Sequence, residues 1–380
     1  MAGLYFHIPF CKQACHYCNF HFSTSLRHKE EMVQAMLCEL EARRSYLPDE
    51  PLSSIYFGGG TPSLLAEGDL MAFFEAVDRH FRLSPNAEIT LEANPDDLKP
   101  AKLAALRRSP INRLSIGIQS FAEEDLRFFN RAHDAQEARQ CLSLARGAGF
   151  EDLTIDLIYG SPTTGHTQWA ENLAIAFEHE VPHLSCYALT VEPRTALDHF
   201  IKKGKAPAVD EEQAARQFDY LLSATQAAGY EQYEISNFAL PGRYAVHNSN
   251  YWTGVPYLGI GPSAHSFDGK SRQWNVANNA KYLKAVRSGH PLNEAEGLLY
   301  EREALSAEDR YNEYVMTGLR TKWGVQLDKI SRFGPAFQEH FLRYAAPLIA
   351  ADKLERQGDT FFLPPGSRFM ADGIAAELFW

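Results

Sequence analysis

The sequence predicts an α/β protein built on a mostly parallel sheet, and three observations carry that prediction. Short β-rich runs recur through the first half of the chain. Helix-like stretches separate them. The apolar fraction of 45% and charged fraction of 22% are those of an ordinary globular chain. Strand followed by helix, repeated, builds right-handed crossovers onto a parallel sheet.

The first run, LYFHIP (4–9), precedes helix-like EEMVQAMLCELEARRSYL. SIYFGGG (54–60) precedes DLMAFFEAVDRHF, and EITLEANP (88–95) precedes KLAALRRS. RLSIGIQS (113–120) precedes AQEARQCLSLARGAG, and DLTIDLIYG (152–160) precedes TQWAENLAIAFEHE. HLSCYALT (183–190) is the sixth run. Six such units in residues 1–200 fit an open, partial (β/α) barrel or a doubly wound sheet. In residues 201–295, a helix ending at Gly229 leads into a long irregular stretch rich in turns and aromatics. Such stretches often carry function. Residues 296–380 read as a mostly helical C-terminal domain with a small hairpin, a winged helix being one form that fits.

Lys and Arg number 37 against 48 Asp and Glu, a formal net charge of −11. That sign disfavours nucleic acid and anionic membrane as partners. No apolar run reaches the roughly 18 residues of a transmembrane helix. The N-terminal stretch lacks the pattern of a signal peptide, so a cytoplasmic location is expected. Six cysteines are too few for a disulfide scaffold. Cys38, Cys141 and Cys186 are scattered, and each is expected to be a small core residue.

The other three, Cys11, Cys15 and Cys18, form a Cys-x3-Cys-x2-Cys loop directly after the first strand. A structural zinc site takes four ligands, and His7, His16 and His21 are the nearest candidates for a fourth. An iron–sulfur cubane held by three cysteines keeps one iron open to an exogenous ligand. The spacing is not that of the usual zinc pairs, which favours the cluster. In barrels and doubly wound sheets, functional residues gather at the C-terminal ends of parallel strands. Gly58, Gly59, Gly60 and Thr61 follow the second strand. Glu92 lies late in the third, Gln119 late in the fourth and Asp156 in the fifth. Glu92 sits between apolar residues, and a buried carboxylate there needs a cationic or hydroxyl partner.

CKQACHYC, with Tyr17 before its last cysteine, resembles the radical S-adenosylmethionine superfamily. LYFHIPFCKQACHYCNF, IYFGGGTPS, LEANP, LSIGIQSF, FNRAH and IDLIYGSP are similar, in that order, to the anaerobic coproporphyrinogen III oxidase (HemN-like) group. The resemblance implies a partial (β/α)6 TIM-like barrel with a mostly helical C-terminal domain. It implies a [4Fe–4S] cluster on Cys11, Cys15 and Cys18. It implies S-adenosylmethionine near Tyr5, Tyr17, Gly59, Gly60, Thr61, Glu92, Gln119, Arg131, Asp156 and Ala188, the last by alignment alone. In the oxidases several of these residues match a second S-adenosylmethionine site, which leaves open whether this chain fills one.

Two features depart from the oxidases. Asn19 and Phe20 stand where they place a Gly-Cys pair. They also carry a longer segment ahead of the cluster, whereas the first cysteine here is residue 11. Decarboxylation of a tetrapyrrole is therefore in doubt. Instead the chain has HNSNYW, with His247, Asn248, Tyr251 and Trp252. Alone, such a histidine is more often packed than a ligand. The turn-rich context suggests that His247 is exposed, where neutral imidazole could bind haem iron and the aromatics could stack on a porphyrin. His-Asn-x-x-Tyr-Trp resembles the motif of the HemW haem chaperones. That resemblance implies haem on His247, Asn248, Tyr251 and Trp252, with delivery to an apoprotein. Membrane-bound respiratory components are one class of recipient, and a flavodoxin or ferredoxin the implied electron donor. The alternative is an oxygen-independent oxidase. His265, in GPSAHSF, is either a ligand or a loop residue.

Anaerobically purified protein is expected to hold about four irons per chain. Cys15→Ser should lose them, since two thiolates rarely hold a cubane. Retained cluster absorbance in that variant would count against the ligand assignment.

Overall fold

Six parallel strands stand side by side in their chain order: β1 (Ala2–Ile8), β2 (Leu52–Gly59), β3 (Leu83–Ala93), β4 (Arg113–Gln119), β5 (Asp152–Tyr159) and β6 (His183–Ala188). The computed structural model describes all 380 residues. Because the strand order never reverses, the doubly wound alternative falls away and the partial barrel remains. Helices α1 (Lys29–Ala42), α2 (Glu67–His80), α3 (Pro100–Arg108), α4 (Glu123–Phe128), α5 (Ala135–Gly147) and α6 (His166–Glu178) lie in the crossovers.

Strand periodicity sets the two faces. In β1, Leu4, Phe6 and Ile8 are almost fully buried in the main core, as are Ile55 and Phe57 of β2. α1 meets that core with Met32, Val33, Met36 and Leu40, at the i, i+4 spacing of one helical face. The alternate residues, Gly3, Tyr5 and His7 of β1 and Ser54, Tyr56 and Gly58 of β2, face the concave side.

Both edges of the sheet continue. After α7 (Ala196–Lys202) and α8 (Glu211–Ala227), β7 (Glu231–Glu234) and β8 (Asn237–Ala239) add antiparallel strands beside β6. α9 (Val246–Thr253) then carries the chain to the other edge. There β9 (Tyr257–Ile260) pairs parallel to β1, and β10 (His265–Phe267), β11 (Ser271–Asn275) and β12 (Tyr300–Ala304) follow antiparallel, with α10 (Asn279–Val286) between the last two. The segment expected to be irregular is thus mostly strand and helix. Strands of three to five residues are too short to leave a readable alternation.

A second core runs from Tyr311 to Leu378. It is built from α11 (Ala307–Leu319), β13 (Val325–Gln326), α12 (Leu327–Ser331), α13 (Pro335–Ala350), the hairpin β14 (Glu355–Gln357) and β15 (Thr360–Phe362), and α14 (Ala371–Ala376). β13, β15 and β14 form a small three-stranded sheet against these helices. Arg320, at the end of α11, ties this unit to the sheet. It pairs with Glu234 of β7 at 3.1 Å and lies over the Trp252 ring, 5.2 Å from its centroid.

Cys141 and Cys186 are buried as expected, but Cys38 is exposed on α1. Its position falls outside the helix face that meets the core.

A buried ion pair fixes the β9–β11 edge. Glu39 of α1, fully buried, accepts from Arg43 at 2.8 Å, Asn275 at 2.8 Å, the Gly261 amide at 2.9 Å and Tyr282 at 2.6 Å. Arg43 also donates to Gln273 at 2.6 Å. Glu39→Ala leaves Arg43 buried and unpaired. A loss of about 3–5 kcal/mol in urea unfolding is expected, and a change under about 1 kcal/mol would contradict the assigned role.

Candidate functional site

The cysteine loop begins where β1 ends. Cys11 N–H donates to Ser23 O at 3.0 Å and Ser23 N–H to Pro9 O at 2.9 Å, which closes the loop on itself. His16 N–H donates to Phe129 O at 3.0 Å, and Asn130 donates to Ala14 O at 2.8 Å, which anchors it beyond β4. All three cysteines are half-buried. Burial raises the Cys11 thiol and pushes Cys18 up to about 11.

The three histidines weighed as a fourth zinc ligand have other partners. His7 Nε2 meets His21 O at 2.9 Å, His16 Nδ1 meets Phe128 O at 2.8 Å, and His21 Nε2 meets Asn279 Oδ1 at 2.7 Å. The three sulfurs do not themselves stand at mutual metal-ligand spacing, and no other His, Cys, Asp or Glu joins them. The donor set is three soft thiols on one anchored loop, beside a guanidinium. That chemistry fits an iron–sulfur cluster better than a tetrahedral zinc.

Arg131 links this loop to the strand ends. Its Nη1 donates to Cys15 Sγ at 3.2 Å and Tyr17 Oη at 3.4 Å. Its Nη2 donates to Asn94 Oδ1 at 2.8 Å and Gly117 O at 2.7 Å. Its Nε is buried and has no partner. A buried donor with nothing to bond is costly, so this is where an anionic group would be held. Gln119 is nearby, at a positive φ of 68°, which breaks the β4–β5 register.

The glycine run serves two close approaches. A Cβ at Gly59, whose φ is 101°, would stand 2.6 Å from the His7 ring, and one at Gly60 would stand 2.6 Å from Phe10 O. The turns after β1 and β2 therefore pack on one another through these positions. Thr61 N–H completes the contact, donating to Phe10 O at 2.7 Å.

Glu92 has the hydroxyl partner its setting requires: Tyr56 Oη donates to it at 2.8 Å, and the Gly59 amide at 3.2 Å. Desolvation outweighs these bonds and pushes its pKa up to about 7. Asp156 rises to about 7 for the same reason, against the pull of Arg131. Ala188 ends β6 beside Tyr159 and offers only a methyl group and its backbone.

α9 lies against the concave face at the opposite end of β1 and β2. The Val246 and His247 amides donate to the Glu88 carboxylate of β3 at 2.8 and 2.9 Å. These bonds replace the cap that Ala245 cannot make. The expected exposure of His247 is not found: it is 2% exposed. Its Nδ1 meets Ser54 Oγ at 2.8 Å and its Nε2 meets Tyr251 Oη at 2.9 Å, one helical turn on. The ring stacks on Tyr56, with centroids 5.0 Å apart. Burial lowers its pKa to about 3, so the ring is neutral.

Between this face, the β9–β11 edge and the C-terminal unit lies a cavity of about 1200 Å³. It exceeds the roughly 300–1000 Å³ of ordinary small-molecule sites. Tyr5, Tyr56 and Glu92 reach it from the barrel, and Phe20 and His21 from the cysteine loop. Asn248, Tyr251 and Trp252 reach it from α9, Tyr257, His265, Phe267 and Arg272 from the sheet edge, and Arg310 and Lys329 from the C-terminal unit.

One group of expected residues thus gathers around Arg131 and Glu92, and the HNxxYW residues gather at the cavity. Sequence reasoning missed Tyr56, Glu88, Asn94 and the Tyr257–Phe267–Arg272 wall. Tyr56 was legible, since it alternates with Ile55 and Phe57 as Tyr5 does with Leu4 and Phe6. The others depend on pairings across long separations.

A three-cysteine loop on the first strand of a partial barrel, with its polar residues at the strand ends, defines a radical S-adenosylmethionine protein. The model of the Radical SAM superfamily matches residues 5–174, and that of the HemN C-terminal domain residues 305–369. The chain belongs to the HemW family. It is 33% identical to the Heme chaperone HemW of Mycobacterium tuberculosis, across 99% of this chain and 94% of the relative. It is 35% identical to that of Escherichia coli, across 84% and 82%. The solved coproporphyrinogen III oxidase (HemN) of Escherichia coli matches with a TM-score of 0.84 at 24% identity, across 100% of this chain and 90% of that one, which shows the shared fold.

Glu92 also sets a pH dependence. The folded protein keeps its proton up to about pH 7, whereas the free carboxyl releases it near 4.5. Between those values the folded state binds more protons, so this group makes stability fall as pH rises. Glu92→Gln should flatten the decline between pH 5 and 8 by on the order of 1–3 kcal/mol, measured by urea unfolding at each pH. Parallel curves for the two proteins would refute the raised pKa.

Proposed function

We propose that this chain is a haem carrier that holds haem in the 1200 Å³ cavity and passes it to an apoprotein. The cavity is the observation that carries the reading. Its walls offer flat aromatic faces at Tyr251, Trp252, Tyr257 and Phe267, suited to a porphyrin. Arg310 and Lys329 offer cations for its propionates, beside Arg272, which Glu313 pairs at 2.7 Å. The names of the HemW relatives support the same reading.

In this reading Cys11, Cys15 and Cys18 hold a [4Fe–4S] cluster. S-adenosylmethionine lies against Gly59, Gly60, Thr61, Tyr5, Tyr17, Glu92, Gln119, Arg131, Asp156 and the backbone at Ala188. Bound together, these groups supply one-electron chemistry. Arg131, whose Nε has no partner, would hold the cofactor carboxylate, and Glu92 and Asp156 would hold its hydroxyl or ammonium groups. His247 serves the cavity wall: it holds the Tyr251 hydroxyl, while Glu88 holds the helix that carries both. The recipient is an apoprotein, and the setting cytoplasmic.

Ferric haem titrated into the full chain should give saturable, near-stoichiometric Soret absorbance once free haem is removed. Trp252→Ala should weaken binding several-fold, the order of one lost aromatic contact. His247→Ala should also weaken it, because Tyr251 loses its partner. Absence of saturable binding, together with enzyme-like formation of protoporphyrinogen from coproporphyrinogen, would overturn the carrier reading in favour of the oxidase.

A further inference from the structure

We propose that His265, outside the HNxxYW motif, supplies the imidazole that ligates haem iron in the cavity. The inference rests on the carrier reading above and deepens it.

Imidazole ligates iron through a free nitrogen lone pair. Three other histidines line the cavity, and each has a ring nitrogen committed. His247 has both nitrogens bonded and is 2% exposed. His7 meets Tyr5 Oη at 3.2 Å through Nδ1 and His21 O at 2.9 Å through Nε2, and is 5% exposed. His21 keeps Nδ1 free, its Nε2 being bonded to Asn279, but the ring is only half-exposed and sits on the cysteine loop, three residues past Cys18. His265 is exposed and lines the cavity, and neither of its ring nitrogens has a hydrogen-bond partner.

Its placement follows from strand geometry. In β10, His265 and Phe267 share a face, and Ser266 between them turns inward, 1% exposed, toward Arg43. Across the ladder, His265 faces Trp274 and Phe267 faces Arg272. The His265 and Trp274 centroids are 6.4 Å apart, and the Arg272 guanidinium lies 4.9 Å from the Phe267 centroid. Imidazole, aromatic plane and cation therefore stand on one short ribbon. Haem presents iron and a flat ring, which the imidazole and the aromatic planes match, and Arg272, ion-paired to Glu313 at 2.7 Å, borders them. Partial desolvation, with Arg272 nearby, lowers the His265 pKa, so the ring is neutral at pH 7. The ribbon is rigidly backed: Gln273 and Asn275 of β11 bond Arg43 and Glu39 beneath it.

The test is ferric haem titration of the full chain, read by Soret position and by electron paramagnetic resonance. The wild type, His247→Ala and His265→Gly are compared, with and without added imidazole. His265→Gly should lose the wild-type spectrum and recover it with imidazole. His247→Ala should bind more weakly and keep the wild-type spectrum. If the wild type binds haem and His265→Gly keeps its spectrum unchanged, the inference fails while the carrier reading stands. If imidazole fails to restore the lost spectrum, the ligand role also fails. If the wild type binds no haem, the carrier reading fails first, and the inference with it.

Discussion

The inner face of the first three strands has to be covered, and most of the architecture follows from how that is done. Gly3, Tyr5, His7, Ser54, Tyr56, Glu88 and Glu92 carry polar atoms or open space on the concave side of β1, β2 and β3. Left facing an apolar lid, those polar groups would be unpaired and costly. Helix α9 answers part of this. Its first amides go to Glu88, its histidine goes to Ser54, and its ring stacks on Tyr56. A Cβ on Gly3 would stand 3.1 Å from Ser54 Oγ, the hydroxyl that bonds His247, and in ordinary contact with the His247 ring at 3.6 Å. What α9 leaves uncovered, between the sheet edge and the C-terminal unit, is the cavity.

The two ends of the concave side are chemically different. Around the cysteine loop there are unspent charges: Arg131 with an orphan Nε, and two carboxyls held near pH 7 by desolvation. Titratable groups perturbed in this way, with one donor left over, suit a polar, charged cofactor. Around α9 the polar atoms are spent on one another, and what remains exposed is aromatic surface. That end suits a large flat ligand. Phe20 and His21 bring the cysteine loop into the cavity wall, so the two ends share one space.

The C-terminal unit contributes through one residue above all. Arg320 couples Glu234 of the sheet to the Trp252 face of α9. The cavity wall and the docking of the C-terminal unit are therefore mechanically connected. The buried Glu39–Arg43 pair does the same at the other edge, joining α1 to β11.

The parallel barrel strands, the cysteine loop and the placement of polar residues late in strands were legible in the sequence, because each is local. Strand alternation and the Cys-x3-Cys-x2-Cys spacing involve residues only a few positions apart. By itself the sequence therefore determined the α/β class, the three-thiol loop and the family. The tertiary structure alone decided that His247 is buried, that Glu88 caps its helix from β3, and that His265 faces the cavity. Glu88 and His247 are 159 residues apart in the chain. Strands as short as β8, β9 and β10 carry no periodic signal, so the sheet edge that forms the far wall exists only through pairing. Burial and pairing, not residue type, decide which histidine stands exposed in the cavity with both nitrogens free, and both are properties of the folded chain.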